Sequence, residues 1–413
     1  MAERRACILI AGGGFGGLFT ALELAGAGEV TLVSADDHFL FKPMLYEYLS
    51  GEVEAWHIAP YYKELLDERV RFIQGTLTDV DLAARTATIS GRARPLAYDA
   101  LVVAVGGVTD YVGVAGAAEH AFPFRRLKDA DALRQRMVDA LDRIPPDAAA
   151  ADASRAATFA VVGAGASGVE LATKMADLLH DAFGRRGLGG EARVFVLEAG
   201  PEILPGMGAS LRAEVEQVLR AAHVEVRTEA RVRRVTPGSV VFEHGGAETE
   251  LQTAACVWVA GVRPNPLIER LDLPKTERGL LRVRPTLQVE GREEVFALGD
   301  GAQFDNADPH LAGTAQLAFQ QAALAAANVR AVLAGDEPRT RHIKEMGEAL
   351  SLGTERAAVL TGGQAFTGAL ARQARFAMYT QRLPTWQHRL KVSASWFFEG
   401  TTPRPLGLRG AGT

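Results

Sequence analysis

The pattern of apolar and polar positions occurs twice along this chain. Cys7 to Ala11 (CILIA) is a short apolar run that enters Gly12-x-Gly14-x-x-Gly17, and Thr158 to Val162 (TFAVV) is another that enters Gly163-x-Gly165-x-x-Gly168. Each loop precedes a helical pattern, Leu18 to Ala25 in one case and Val169 to Leu179 in the other. A second apolar strand follows in each, Val30 to Val33 and Val194 to Leu197. Alternating segments come next, Val70 to Pro95 and Val224 to Thr249, which read as small antiparallel meanders. Each half closes with an apolar strand that ends in glycine, at Gly106 and at Gly261. The distance from first loop glycine to closing glycine is 94 positions in one half and 98 in the other, so one unit has been used twice.

Strand, Gly-rich turn, helix and strand in this order demand a right-handed crossover and a parallel sheet. The expected fold class is α/β, with two Rossmann-like dinucleotide-binding domains and a C-terminal α/β unit. A helix from Lys128 to Arg143 and a Pro/Ala/Asp linker from Pro145 to Ser154 separate the halves. After the second half come Val295 to Asp300 and a long Ala/Gln-rich helix from about Gly313 to Ala334. The first domain is therefore expected to be discontinuous, residues 1–125 with 281–340. Residues 126–280 form the second domain, and residues 341–413 the third unit.

Composition narrows the class. The 413 residues are 48% apolar and 23% charged, ordinary for a globular protein. No run of 18 or more apolar residues is free of charge, so no spanning helix is expected. Arg4-Arg5 before an apolar stretch superficially resembles a signal peptide, but a loop that is all glycine except for Phe15 is a phosphate loop. Cys7 and Cys256 each lie in an apolar strand, which suits a reducing compartment. The net charge of −5 conceals an asymmetry: residues 340–413 hold ten Lys/Arg against four Asp/Glu, +6, and the rest carries −11. A basic tail on an acidic body points to an anionic surface.

A Gly-rich turn between strand and helix brings backbone N–H groups and a helix N-terminus to a pyrophosphate. Gly12, Gly14, Phe15, Gly16 and Gly17 form one such turn, and Gly163, Gly165 and Gly168 the other, so two dinucleotides are expected. In the second half the strand ends at Glu198, where a carboxylate accepts from ribose hydroxyls and repels a 2′-phosphate, favouring NADH over NADPH. In the first half the matching position is Ser34, a weaker ribose partner. Asp300, in a Leu-Gly-Asp turn after an apolar strand, is placed to accept from a ribityl hydroxyl of a flavin.

These motifs resemble those of the type II NADH:quinone oxidoreductases, two-dinucleotide-domain flavoproteins, over nearly the whole chain. The resemblance rests on His38 to Gly51 (HFLFKPMLYEYLSG), Val161 to Glu170 (VVGAGASGVE), Trp258 to Pro264 (WVAGVRP), Phe296 to Asp300 and Thr314 to Gln321 (TAQLAFQQ). Phe39 to Pro60 is similar to the cyanobacterial and plastid branch, whose members reduce phylloquinone-type naphthoquinones. The resemblance implies FAD in the first domain, NADH in the second, and a membrane quinone of naphthoquinone or ubiquinone type as acceptor. It places Lys42, Pro43, Gly106, Asp300, Ala315 and Gln316 around the flavin, and Gly261 among the cofactor contacts. It brings Glu170 beside the nicotinamide, as a proton donor or an orienter, and makes Gln320 and Gln321 the quinone-site pair. Ala322 departs from the glycine often found there, and its methyl is expected to narrow the quinone slot.

Phe366 to Lys391 holds Arg372, Arg375, Arg382, Arg389 and Lys391 with no acid, interleaved with aromatic and apolar residues and divided by Pro384. That composition suits an interfacial helix pair on an anionic leaflet, at the cytoplasmic face of the cell membrane. It also suits a face packed on the body or a homodimer contact. The acidic body argues against nucleic acid, and no His/Cys spacing suits a metal. A disulfide reductase of this architecture needs a redox cysteine pair, and this chain has none. A soluble NADH:ferredoxin-type reductase and a non-catalytic nucleotide sensor remain as rivals.

Overall fold

The computed structural model describes residues 4–308, 311–361 and 364–407. Two five-stranded parallel sheets carry the repeat. The first runs, edge to edge, Val295–Ala297, Ala100–Val103, Cys7–Ala11, Glu29–Ser34, Val70–Gln74. The second repeats the order of four of these strands, Ala255–Trp258, Thr158–Val162, Arg193–Leu197, Val224–Arg227, but its fifth, Phe122–Pro123 beside Ala255–Trp258, precedes the others in the chain, where that of the first sheet follows them. Its edge strand Phe122–Pro123 lies within the segment assigned above to the first domain. Strands buried on both faces need continuous apolar sequence, which is why CILIA, ALVV, TFAVV and ACVW sit at or next to the centre.

The meanders are shorter than their alternation suggested. Val70–Gln74 and Val224–Arg227 belong to the parallel sheets, leaving Leu77–Asp81, Thr86–Ile89 and Leu96–Ala97 in one meander. Arg231–Val235, Ser239–His244 and Ala247–Gln252 form the other. An edge strand exposed along part of its length alternates like a meander strand, so pattern alone did not separate them. Part of the expected linker is also helical: Ala150–Ala156 follows the Pro145-Pro146 turn.

The helix after each loop starts at the loop itself, Phe15–Leu24 and Ala166–Arg186. The first packs along Ala315–Ala334, where small residues let the two helices approach; Thr20 Oγ donates to Gly16 O at 2.7 Å and lies 3.5 Å from Ala322 O. Against expectation, Ala315–Ala334 is long and apolar enough to cross a membrane. It is instead a core helix, with Gln321 and Asn328 fully buried, and Asn328 bonded to the backbone of Thr286 and Arg339.

The third unit is a three-stranded antiparallel sheet, Glu348–Ser351, Ala357–Thr361 and Gln364–Gly368, followed by helices Ala369–Gln381 and Trp386–Glu399. The first of these helices turns Ala371, Arg375, Phe376 and Tyr379 inward, so the third unit closes over the meeting of the two domains.

Candidate functional site

The two glycine loops are near copies in space. Gly12 and Gly163 both have φ +105°, a region L side chains rarely adopt. A Cβ on Gly17 would fall 1.7 Å from Gly12 O, and one on Gly168 would fall 1.8 Å from Gly163 O. Gly14 and Gly165, the N-cap residues, differ from these: a Cβ there would meet nothing within 4 Å. Neither helix has a side-chain cap, so first-turn amides face an open cradle with the positive end of the helix dipole behind them. This arrangement fits a diphosphate in each half.

The nucleoside ends differ. Glu198 stands just past Arg193–Leu197 and accepts from Ala164 N at 2.8 Å and Gly200 N at 2.7 Å, which fixes its carboxylate against the loop. Ser34 ends its strand beside Tyr62, whose hydroxyl donates to Gly13 O at 2.7 Å and lies 3.5 Å from Ser34 Oγ. Tyr62 is a buried loop support that the sequence pattern did not single out.

Around the first cleft, Asp300 follows Gly299 in a short 3-10 turn, and Arg125 Nη2 lies 3.7 Å from its Oδ2 and 3.1 Å from Gly107 O. Lys42 keeps an exposed surface although protein surrounds it on most sides. That enclosure, then Arg125, push its ammonium down to about 8, with Asp300 acting against them. Gly106 has φ +67°, and Gly261 has φ +77° against Asp110 O. The Thr314 hydroxyl caps Ala315–Ala334 through Leu317 N, while the Gln316 side chain ties to Gly347 O and Met346 N.

Gln320 and Gln321 point to different surroundings. Gln320 Nε2 donates to Lys344 O at 2.9 Å. Gln321 is fully buried, its Oε1 accepts from Gly299 N at 2.8 Å, and its Nε2 has no partner among the described residues. That donor is enclosed by protein beside the Gly299–Gly301 turn. Ala322 is fully buried in the helix–helix core.

Glu170 resolves the puzzle of a carboxylate near a pyrophosphate loop by turning away from it. Its Oε1 accepts from Ser351 N at 2.8 Å and from Arg375 Nη2 at 3.1 Å. Arg375, 1% exposed, also donates from Nη1 to Glu47 at 2.7 Å and from Nη2 to Pro43 O at 2.9 Å. Lys174, one helical turn after Glu170, pairs with Glu47 and Glu52, and Arg372 reaches Glu52 Oε1 at 2.8 Å. Three acids and three bases thus balance where the Pro43 to Glu52 segment, the helix Ala166–Arg186 and the helix Ala369–Gln381 meet, as buried charges require. Burial pushes the Glu170 carboxyl up to about 7, against the pull of Arg375 and the Ser351 amide. Burial acts the same way on Glu47, but Arg375 and Lys174 outweigh it and hold that carboxyl at about 2.

Glu47, Glu52, Lys174 and Arg375 were not among the residues expected at the site. Lys174 lies four positions after Glu170 on one helix face, a signal present in the sequence. Arg375 was read with the other basic tail residues as a lipid contact, and its burial corrects that reading for this position. Cys256 is buried in the second sheet, which raises its thiol to about 12, and Cys7 lies in the first, so no redox pair forms.

Residues 7–326 match the family model of the pyridine nucleotide-disulphide oxidoreductases. The chain is 38% identical to the demethylphylloquinone reductase NdbB of Synechocystis sp., over 98% of each protein. It is 32% identical to the type II NADH:quinone oxidoreductase NdhA of Mycobacterium tuberculosis, over 94% of this chain and 86% of that protein. Its fold is that of the solved structure of NDH2 from Plasmodium falciparum in complex with NADH, with a TM-score of 0.84 at 18% identity, covering 98% of this chain and all of that one. Two parallel sheets that share a four-strand order, two glycine cradles and these relatives agree: the chain belongs to the pyridine nucleotide-disulphide oxidoreductase family and, within it, to the type II NADH:quinone oxidoreductases.

Proposed function

We propose that this protein oxidises NADH and reduces a membrane naphthoquinone, working from FAD in the first cleft and lying on an anionic leaflet at the cytoplasmic face. The observation that carries the reading is Glu170: a buried carboxyl pushed up to about 7, just after the second glycine loop, bonded to the Ser351 amide and to Arg375 of the helix Ala369–Gln381. FAD, when bound, supplies the two-electron chemistry that joins a hydride donor to a quinone. The protein's own residues supply the rest. The Gly12–Gly17 and Gly163–Gly168 loops hold the diphosphates, Asp300 and Glu198 take the ribityl and ribose hydroxyls, and Lys42 adds positive charge to the first cleft. Glu170 holds or releases a proton close to neutral pH, where a general acid or base works best.

Naphthoquinone is favoured as acceptor because the relative of highest identity given above is named a demethylphylloquinone reductase. The membrane is favoured over a soluble protein acceptor by the last helix. Trp386, Leu390, Phe397 and Phe398 on it are 63–82% exposed, with Leu370 on the preceding helix at 82%. Large apolar side chains clustered at a surface beside Arg and Lys suit lipid better than water. A comparison of steady-state NADH oxidation with menaquinone-, ubiquinone- and ferredoxin-type acceptors tests the reading. Turnover is expected with the quinones and greatest with the naphthoquinone; turnover with ferredoxin alone would sink it.

A further inference from the structure

The buried charges at the junction are shared unequally. Arg375 gives Glu47 two contacts, Nη1 to Oε1 at 2.7 Å and Nη2 to Oε2 at 3.4 Å, but gives Glu170 one, Nη2 to Oε1 at 3.1 Å. Lys174 Nζ, the other cation within reach, lies 3.5 Å from Glu47 Oε1 and bonds Glu52 as well. Glu47 is fully buried on the short helix Leu45–Ser50, in a segment that entered above only among those carrying the family resemblance. We propose that Glu47 is a positioning residue that sets the protonation of Glu170 by holding the Arg375 guanidinium to itself.

Every charged or titratable group facing Glu170 enters the argument. The C-terminal helix brings Arg375 and Tyr379, and the Leu45–Ser50 helix brings Glu47 and Tyr46. Glu170's own helix adds Lys174, and the strand Glu348–Ser351 adds the Ser351 N–H. Both tyrosines are buried and their phenols raised, so they stay neutral near pH 7. The cations in the set are Arg375 and Lys174: Arg375 approaches Glu47 at 2.7 Å against 3.1 Å for Glu170, and Lys174 lies 3.5 Å from Glu47. Arg372 and Glu52 neutralise one another one step further out.

The sign follows from electrostatics. With Glu47 ionised, its negative charge opposes ionisation of Glu170 and its partners' positive charge is spent locally. Glu47→Gln removes that opposing charge and leaves Arg375 to Glu170 alone. Both effects favour the carboxylate, so Glu170 ionises at lower pH. Protonation of the pair is coupled, and Glu47, held at about 2, is the member that never takes the proton in the neutral range.

The inference rests on the proposed role of Glu170 only for its catalytic consequence, so the test has a spectroscopic arm and a kinetic one. Infrared titration of the FAD-loaded protein follows the carbonyl stretch of a buried, protonated carboxylic acid; Glu170→Gln identifies the band by removing it. In the parent protein the band is expected to titrate around pH 7. In Glu47→Gln its midpoint is expected to fall by about one pH unit or more, roughly a tenfold loss of proton affinity. A midpoint that stays in place overturns the proposal. Should Glu47→Gln fail to fold, Glu47→Asp keeps the charge but withdraws the carboxylate by one methylene. It is expected to move the midpoint the same way by less, and an unmoved midpoint there is equally fatal. In the kinetic arm the limb of the kcat profile near neutrality should move with the band. A band that moves while the limb does not supports the Glu47 inference and removes Glu170 from the chemistry. A uniform drop in kcat with neither shift marks Glu47 as merely structural and overturns the inference.

Discussion

At the scale of single residues, the glycines of the two loops divide by what surrounds them. Gly168 has no room for a side chain, because a Cβ would sit 1.8 Å from Gly163 O. Gly165 has room, since its Cβ would project into space that no protein atom fills within 4 Å. The two substitutions should therefore separate folding from binding. Gly168→Ala is expected to destabilise the second domain by several kcal/mol, on the order of other severe overpacking changes. Gly165→Ala should leave the melting temperature nearly unchanged but weaken NADH binding at least tenfold, as a titration of flavin bleaching by NADH would show. Equal affinity in that variant would remove the diphosphate from the cradle. Glu198, Asp300 and the glycines were legible in the sequence because each sits at a fixed offset from a strand end. Tyr62 and Arg125 were not, because each supports the loops from a different stretch of chain.

At the scale of elements, the C-terminal pair of helices shows how one composition serves two environments. Within Phe366 to Lys391, Arg375, Phe376 and Tyr379 are buried, while Leu370, Trp386 and Leu390 face outward. The last helix is fastened by histidines. His388 Nε2 lies 2.8 Å from His57 O, and His57 accepts Glu54 N–H at Nδ1 and meets Ser395 Oγ at 2.9 Å through Nε2. Because Nδ1 accepts, the network assigns the ring proton to Nε2. Burial pushes His57 down to about 4, so it remains neutral at ordinary pH and the fastening persists there. With its inner face so held, the helix offers Phe397 and Phe398, each 82% exposed, to whatever lies outside. Replacing both with serine removes about 1.5–3 kcal/mol of apolar transfer per ring. Flotation with vesicles rich in anionic lipid is expected to drop by tenfold or more, while NADH oxidation with a water-soluble short-chain quinone continues. Undiminished flotation would assign this face to something other than lipid.

At the scale of the whole molecule, the buried charges tie three units together, and their stability has a pH signature. Glu170 is raised from 4.5 to about 7, so the folded state binds its proton more tightly than the unfolded chain does. Its favourable contribution is complete below about 4.5, declines through the interval, and is gone above about 7. Glu47 is depressed to about 2, so its contribution is present above about 4.5 and is lost as pH falls toward 2. Glu170→Gln imitates the protonated acid at every pH. Relative to the parent, that variant should gain stability as pH rises from about 4.5 to about 7, by roughly 3 kcal/mol in all, in urea unfolding at each pH. The same variant should keep its FAD and lose turnover on the order of a hundredfold. A stability difference that is flat with pH would place the Glu170 titration outside this range.

The sequence by itself determined the two parallel sheets and the two glycine cradles. Those properties depend on apolar runs and glycine spacing, all local to a βαβ unit. It also determined the family, through segments that stay contiguous in the chain. Only the tertiary structure decided that Arg375 belongs to the interior and not to the exposed face, that Ala315–Ala334 is a core helix, and that Glu47, Glu170 and Lys174 share one charge network. Burial of a charge is a property of what three distant segments bring together, and residues 47, 170 and 375 are too far apart in sequence for any periodicity to connect them.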